Sequence, residues 1–328
     1  MKKRLLILFI LTLFPINVIA YSNKIIPGGN TIGITVTSKG VMVIGFYKID
    51  GKYNKGNPEL KEGDYIVKIN DNDINTVNDL VNVINNINDI DKKISISFIR
   101  NNTLKETKLN LMEIDGTYKT GLYVKDNITG IGTLSYIDPE SNIYGALGHE
   151  IQESNTKKHV DINTGKIFRN SIISIERSTD GSPGSKNAKF YNNTVYGDIN
   201  KNTKYGIYGS YTNKYNINDA VEIKKLSDVH LGKAYIRTVT KGEEIKEYEI
   251  EITNINKNSK LKSISFKITD KDLLNKTGGV VQGMSGSPIM QDGYLIGAVT
   301  HVLVDDVKSG YGVSIITMLN EGDKLVNW

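Results

Sequence analysis

The chain has 328 residues, enough for about two domains, and its 39% hydrophobic and 23% charged content is that of a soluble globular protein. A net charge of +5, scattered among acids and accompanied by no nucleic-acid motif, reads as solvated surface, so no nucleic-acid partner is expected. The absence of cysteine excludes disulfides, a thiol nucleophile and thiolate metal sites.

Lys2, Lys3 and Arg4 precede an apolar run at 5–14, then Pro15 and Val18-Ile19-Ala20. Small residues at Val18 and Ala20 suit signal peptidase. The run falls short of the roughly 20 apolar residues a membrane span needs. Residues 1–20 are therefore expected to be a signal peptide or a retained anchor, with the remainder exported across the cytoplasmic membrane. Any membrane association would run through residues 5–20.

Residues 26–112 read as a small domain. The glycine-rich stretch Gly28–Gly33 leads into a strand Ile34–Ser38, and Val41–Phe46 reads as a second strand. A turn at Leu60–Asp64 precedes a third, Tyr65–Asn70. Thr76 begins a helix with Asp79 as its capping-box partner. Val77, Leu80, Val81, Ile84 and Ile87 then place one apolar face on that helix. Ile94, Ile96 and Phe98 alternate as a final strand. This order resembles a PDZ domain, chiefly at Ile32-Gly33-Ile34 and at Leu60, Gly63, Asp64, Ile66 and Asn70. The resemblance implies a peptide added as a strand beside Ile34–Ser38, its terminal carboxylate on the loop amides of Ile32, Gly33 and Ile34. The alternative is a β-rich adaptor that binds nothing.

Residues 113–328 hold short alternating stretches separated by Gly, Asn and Asp. Among them are 131–136, 172–175, 234–239, 248–252, 264–268, 295–304 and 312–316. Helical periodicity is confined to Leu273-Leu274 and Met318–Leu325. The pattern predicts a β-barrel or sandwich, so the chain as a whole is expected to be mainly β with a minor α component.

Gly283-Met284-Ser285-Gly286-Ser287-Pro288 has the form in which trypsin-like peptidases present a nucleophilic serine. Glycines on both sides permit a sharp turn and leave room for a substrate carbonyl. That turn can aim the amides of Gly283 and Ser285 at one oxyanion. Ser287 is the weaker candidate, since only Ser285 has Gly at −2, Gly at +1 and Pro at +3. A serine hydroxyl needs a base, and the base needs an orienting group. Of four histidines, His149 sits among small residues (Gly145-Ala146-Leu147-Gly148), and His301 is the reserve. His159 and His230 have surface-like settings. For the acid, Asp198 and Asp270 compete, and the local pattern reads Thr269 or Asp270 as the cap of a short helix stopping at Gly278. No metal or cofactor is expected, because the histidines lack metal-ligand spacing.

Several motifs together resemble the SpoIVB peptidases (stage IV sporulation protein B). They are Gly130–Leu134, Gly145–His149, Thr269-Asp270, Thr277-Gly278-Gly279, Val281–Pro288 and Gly297–Val302. The resemblance implies a PDZ domain ahead of a trypsin-like β-barrel serine peptidase at 113–328. It places the catalytic histidine, aspartate and serine on His149, Asp270 and Ser285. It also implies action between the mother-cell and forespore membranes. There such enzymes cleave themselves near the N-terminus and cleave a membrane-bound regulator of an intramembrane protease, which leads to activation of a late sigma factor. The Asn- and Lys-containing stretch 21–25 is the expected self-cleavage zone. Two rivals are an envelope quality-control protease, which would degrade unfolded protein broadly, and a catalytically dead PDZ binding module, whose serine would not react with a fluorophosphonate.

Overall fold

The computed structural model describes residues 21–87 and 92–326. The predicted signal peptide or anchor at 1–20 lies outside the described residues. In chain order the elements that build the site are β1 (Lys24–Pro27), β2 (Thr31–Phe46), β3 (Tyr65–Ile69), α1 (Val77–Asn85), β4 (Lys93–Arg100), β5 (Thr103–Asn110), β6 (Leu122–Ile137), β7 (Ile143–Ala146), β8 (Ile162–Glu176), β9 (Ser185–Asp198), β10 (Gly206–Ser210), β11 (Gly232–Val239), β12 (Ile245–Ile255), β13 (Ile264–Ile268), α2 (Lys271–Thr277), β14 (Pro288–Gln291), β15 (Tyr294–Val302), β16 (Ser309–Ser314) and α3 (Ile315–Gly322). The chain is mainly β with a minor helical part, as composition and alternation predict. No described helix is long and apolar enough to cross a membrane.

Two barrels carry the C-terminal part. In the second, β11-β12-β13-β16-β15-β14 form a closed barrel, with β11 and β14 pairing at the seam. Alternate positions such as Ile236, Ile250, Phe266, Ile289 and Val299 fill its core, as a two-residue side-chain period requires. In the first, the order is β9-β8-β2-β6-β7-β10. A bridge from Gly197 to Tyr211 brings β9 back beside the end of β10. Its core includes Ile32, Ile34, Val36, Leu134, Ile167 and Ile207.

The PDZ-like elements form a third core around Val41, Ile66, Leu80, Ile96 and Phe98. The predicted capping box is present at α1: Thr76 accepts from the Asp79 amide, and the Asp79 carboxylate accepts from the Thr76 amide. The helix seats on a narrow stripe, with Leu80 and Ile84 buried, while Val81, expected on the apolar face, is exposed. At the other end of the chain the helix expected at 318–325 starts earlier, at Ile315.

Three expectations change. The two strands read at Ile34–Ser38 and Val41–Phe46 are one, β2, shared between the first barrel and the PDZ-like core. The peptide groove assigned to Ile32, Gly33 and Ile34 is closed. Residues 31–37 of β2 pair with β6 on one side (Gly33↔Ile131, Ile34↔Gly130) and residues 32–38 pair with β8 on the other (Gly33↔Phe168, Ile34↔Ile167). A strand with both edges paired has no free backbone groups to offer a ligand. Finally, the expected self-cleavage zone 21–25 is built into the fold. Ser22 and Ile25 are buried, the Ser22 hydroxyl bonds Asp138, and β1 pairs with β6 and with Val221-Glu222.

Candidate active site

The serine loop follows from the elements that flank it. Asp270 caps α2 and Gly278, left-handed at φ 74°, ends it, after which the chain crosses to β14. Two further left-handed glycines shape the loop, Gly283 (φ 95°) and Gly286 (φ 94°). At Gly286 a side chain would run into the Thr133 carbonyl and the Leu147 backbone. Here the loop of one barrel abuts the loop of the other, so the glycine after the serine is required by contact as well as by dihedral.

Four consecutive carbonyls of this loop are held. Gln282 O accepts from the Lys186 amide (3.0 Å), Met284 O from the Ser287 amide (2.9 Å) and Ser285 O from the Thr133 amide (2.9 Å). Gly283 O accepts from the Thr133 hydroxyl (2.7 Å). In a planar trans peptide the N–H points opposite to the carbonyl. Fixing Gln282 O and Met284 O therefore fixes the N–H directions of Gly283 and Ser285. Among the described residues no hydrogen bond uses either of those two amides. The loop thus holds two aimed, unspent donors, the arrangement that stabilises an oxyanion.

His149 follows β7 in the first barrel. The turn that delivers it puts Leu147 at φ 70° and Gly148 at φ 67°. A left-handed non-glycine residue costs on the order of 1–3 kcal/mol and marks a site where surrounding packing dictates the backbone. The His149 Nδ1 lies 2.8 Å from Glu150 O. A carbonyl can only accept, so Nδ1 carries the proton and Nε2 keeps its lone pair. Burial lowers the His149 pKa below the ordinary imidazole value, which favours the neutral base.

Ser285 and His149 line one cleft of about 560 Å³, together with His301, Gly283, Ile34 and Ile131. The serine hydroxyl donates to Thr300 O at 3.1 Å and not to His149. The His149 and His301 rings are 5.4 Å apart at 47°. His301 Nδ1 is buried with no hydrogen-bond partner among the described residues. Burial, with smaller contributions from the neighbouring His149 and Lys262, pulls the His301 pKa down to about 4.

Asp270 does not line this cleft. Its carboxylate accepts from the Leu273 amide at 2.8 Å, the capping role that the local pattern predicts. Asp198 is exposed at the end of β9. Ser287 is fully buried behind the loop. His159 bonds Glu150 (2.7 Å) and His230 bonds Asp292 (2.9 Å), and neither histidine lines the cleft. The structure therefore brings His149, Ser285, Gly283 and His301 together and leaves Asp270 on its helix. Sequence reasoning passed over Thr133 and Lys186, which hold the loop carbonyls. Among the described residues no group of three or more His, Asp or Glu side chains could hold a metal ion.

A model of the SpoIVB peptidase S55 family matches residues 116–319, and a model of the PDZ domain matches residues 31–111. No curated protein matches the chain.

Proposed function

Because the chain belongs to the SpoIVB peptidase S55 family of sporulation serine peptidases, we propose that Ser285 is its nucleophile and His149 its general base. The observation that carries this reading is the pair of unspent amides, Gly283 and Ser285, in one cleft with a neutral His149. Rotation of the Ser285 side chain off Thr300 O frees the hydroxyl. His149 Nε2 takes its proton as Oγ attacks the peptide carbonyl carbon. The oxygen, now an anion, is held by the two amides. The imidazolium returns its proton to the leaving amine, and water, deprotonated by the same nitrogen, releases the acyl-enzyme.

The family's acid falls on Asp270, and we assign it the third role. In the conformation described, the Glu150 carbonyl alone fixes the His149 tautomer while Asp270 caps α2. Engagement of the acid then requires a rearrangement that brings the Asp270 carboxylate, of which only Oδ1 is held by the Leu273 amide, to His149.

The substrates proposed are the chain itself and a membrane-bound regulator of an intramembrane protease, met after export in the space between mother-cell and forespore membranes, with a late sigma factor as the output. Because Ser22 is buried and β1 is paired, the self-cleavage we propose is assigned to the N-terminal side of Ser22. The test compares wild type with Ser285→Ala by peptide hydrolysis, fluorophosphonate labelling and sequencing of mature ends. Ser285→Ala is expected to lose at least about a thousandfold in rate, with the fold unchanged. It should also lose the label and keep an untrimmed N-terminus. Full hydrolysis by Ser285→Ala would overturn the assignment.

A further inference from the structure

Lys186 is the second residue of β9 and is 3% exposed, yet no carboxylate pairs with it among the described residues. Among the described residues its ammonium group meets only hydroxyls, Thr238 Oγ1 at 2.8 Å and Thr31 Oγ1 at 3.5 Å. Burying a lysine amine without a counter-charge is costly, and a strand position of this kind is ordinarily filled by an apolar side chain. Three features set the residue against the serine loop. Its backbone N–H holds Gln282 O, the carbonyl of the peptide that carries the Gly283 N–H. Its methylene stem forms the floor beneath Gly283, where a Cβ would meet the Lys186 Cδ, Cβ and Cγ at 3.1–3.3 Å. Its two hydroxyl partners belong to different barrels, Thr31 to β2 and Thr238 to β11.

Thr31 is also the cross-strand neighbour of Thr133, whose hydroxyl and amide hold Gly283 O and Ser285 O. Lys186 and Thr133 therefore grip the same loop from two sides, and the amine ties that grip to both barrels.

We propose that Lys186 is a positioning residue for oxyanion stabilisation, its amine anchoring the floor under Gly283 to Thr31 and Thr238. The inference rests on the serine peptidase reading above and deepens it. Lys186 touches no reacting atom, so its effect falls on the transition state through the aim of the Gly283 amide. Burial brings the Lys186 pKa down to about 7. Both the ammonium and the neutral amine have enough hydrogens for two hydroxyl acceptors, so the tether persists across that titration.

Lys186→Met keeps the length of the stem and removes the amine. The expected result is a kcat about tenfold lower with KM within about twofold of wild type, the split produced when an interaction made only in the transition state is weakened. The thermal midpoint is expected to hold or rise. A lysine depressed in the folded state loses stability progressively as pH falls from the free-lysine range toward about 7, and methionine carries no such proton. Thr238→Val removes the shorter of the two tethers and is expected to give a smaller loss of kcat in the same direction. Should Lys186→Met fail to fold, Thr238→Val carries the test alone. Wild-type kcat in a folded Lys186→Met, or in Thr238→Val where the former does not fold, would reduce Lys186 to a space-filling residue. Fluorophosphonate labelling of wild type, with none in Ser285→Ala, runs alongside. An unlabelled, inactive wild type would sink the peptidase reading itself, whereas an active wild type matched by Lys186→Met would sink only this inference.

Discussion

The two halves of the cleft are built to different degrees. On the oxyanion side, four consecutive carbonyls are anchored and two amides stand aimed and unspent. On the side proposed for proton transfer, the Ser285 hydroxyl is bonded to Thr300 O, His149 is oriented by a main-chain carbonyl, and Asp270 caps a helix outside the cleft. On the proposed reading, charge stabilisation is installed by folding, while the proton relay is completed only when a substrate is engaged. Fixed dipoles cost nothing to reorganise during reaction. A serine held by a neutral carbonyl is not deprotonated and stays inert.

The most forceful way to break the comparison is Asp270→Asn. Asparagine caps helices about as well as aspartate, so α2 and the thermal midpoint should survive. Loss of the carboxylate from the engaged relay should lower kcat by about a hundredfold or more. Activity near wild type would mean that Glu150 O suffices, and that the relay is already as complete as it becomes. Thr133→Val addresses the other half. It removes the hydroxyl bond to Gly283 O while keeping the amide bond to Ser285 O, and should reduce kcat about tenfold with little change in KM. An unchanged kcat would show that the loop is held without it. The smallest effect is in the acid limb of kcat/KM. Burial depresses the His149 pKa, so the base stays neutral to lower pH and the limb should fall below the free imidazole value of about 6.5. A limb at or above that value would indicate a carboxylate already paired with His149 in the free enzyme, since a nearby negative charge favours the protonated ring.

What could be read in advance was local. The capping box at Thr76 and Asp79, the cap at Asp270 with its stop at Gly278, and the glycines around Ser285 all encode their geometry within a few residues. The strands of the second barrel announce themselves by alternation. What escaped depends on partners far along the chain. Nothing near Lys186 signals that Thr31 and Thr238 will converge on its amine, and a lysine in a strand reads as solvent-facing. Thr133 becomes informative only once β6 lies against the serine loop, 150 residues away. The open groove expected at Ile32–Ile34 failed for the same reason, because the strands that close it come about a hundred residues and more later.

Strand β2 has a practical consequence for taking this molecule apart. Its first half is a stave of the barrel that carries His149, and its second half belongs to the PDZ-like core. Expressing residues 113–328 alone would leave that barrel one stave short. Expressing 26–112 alone would strand a hydrophobic ribbon, Ile32, Ile34 and Val36, in water. The PDZ-like and peptidase portions are therefore spliced through a common backbone rather than strung on a tether.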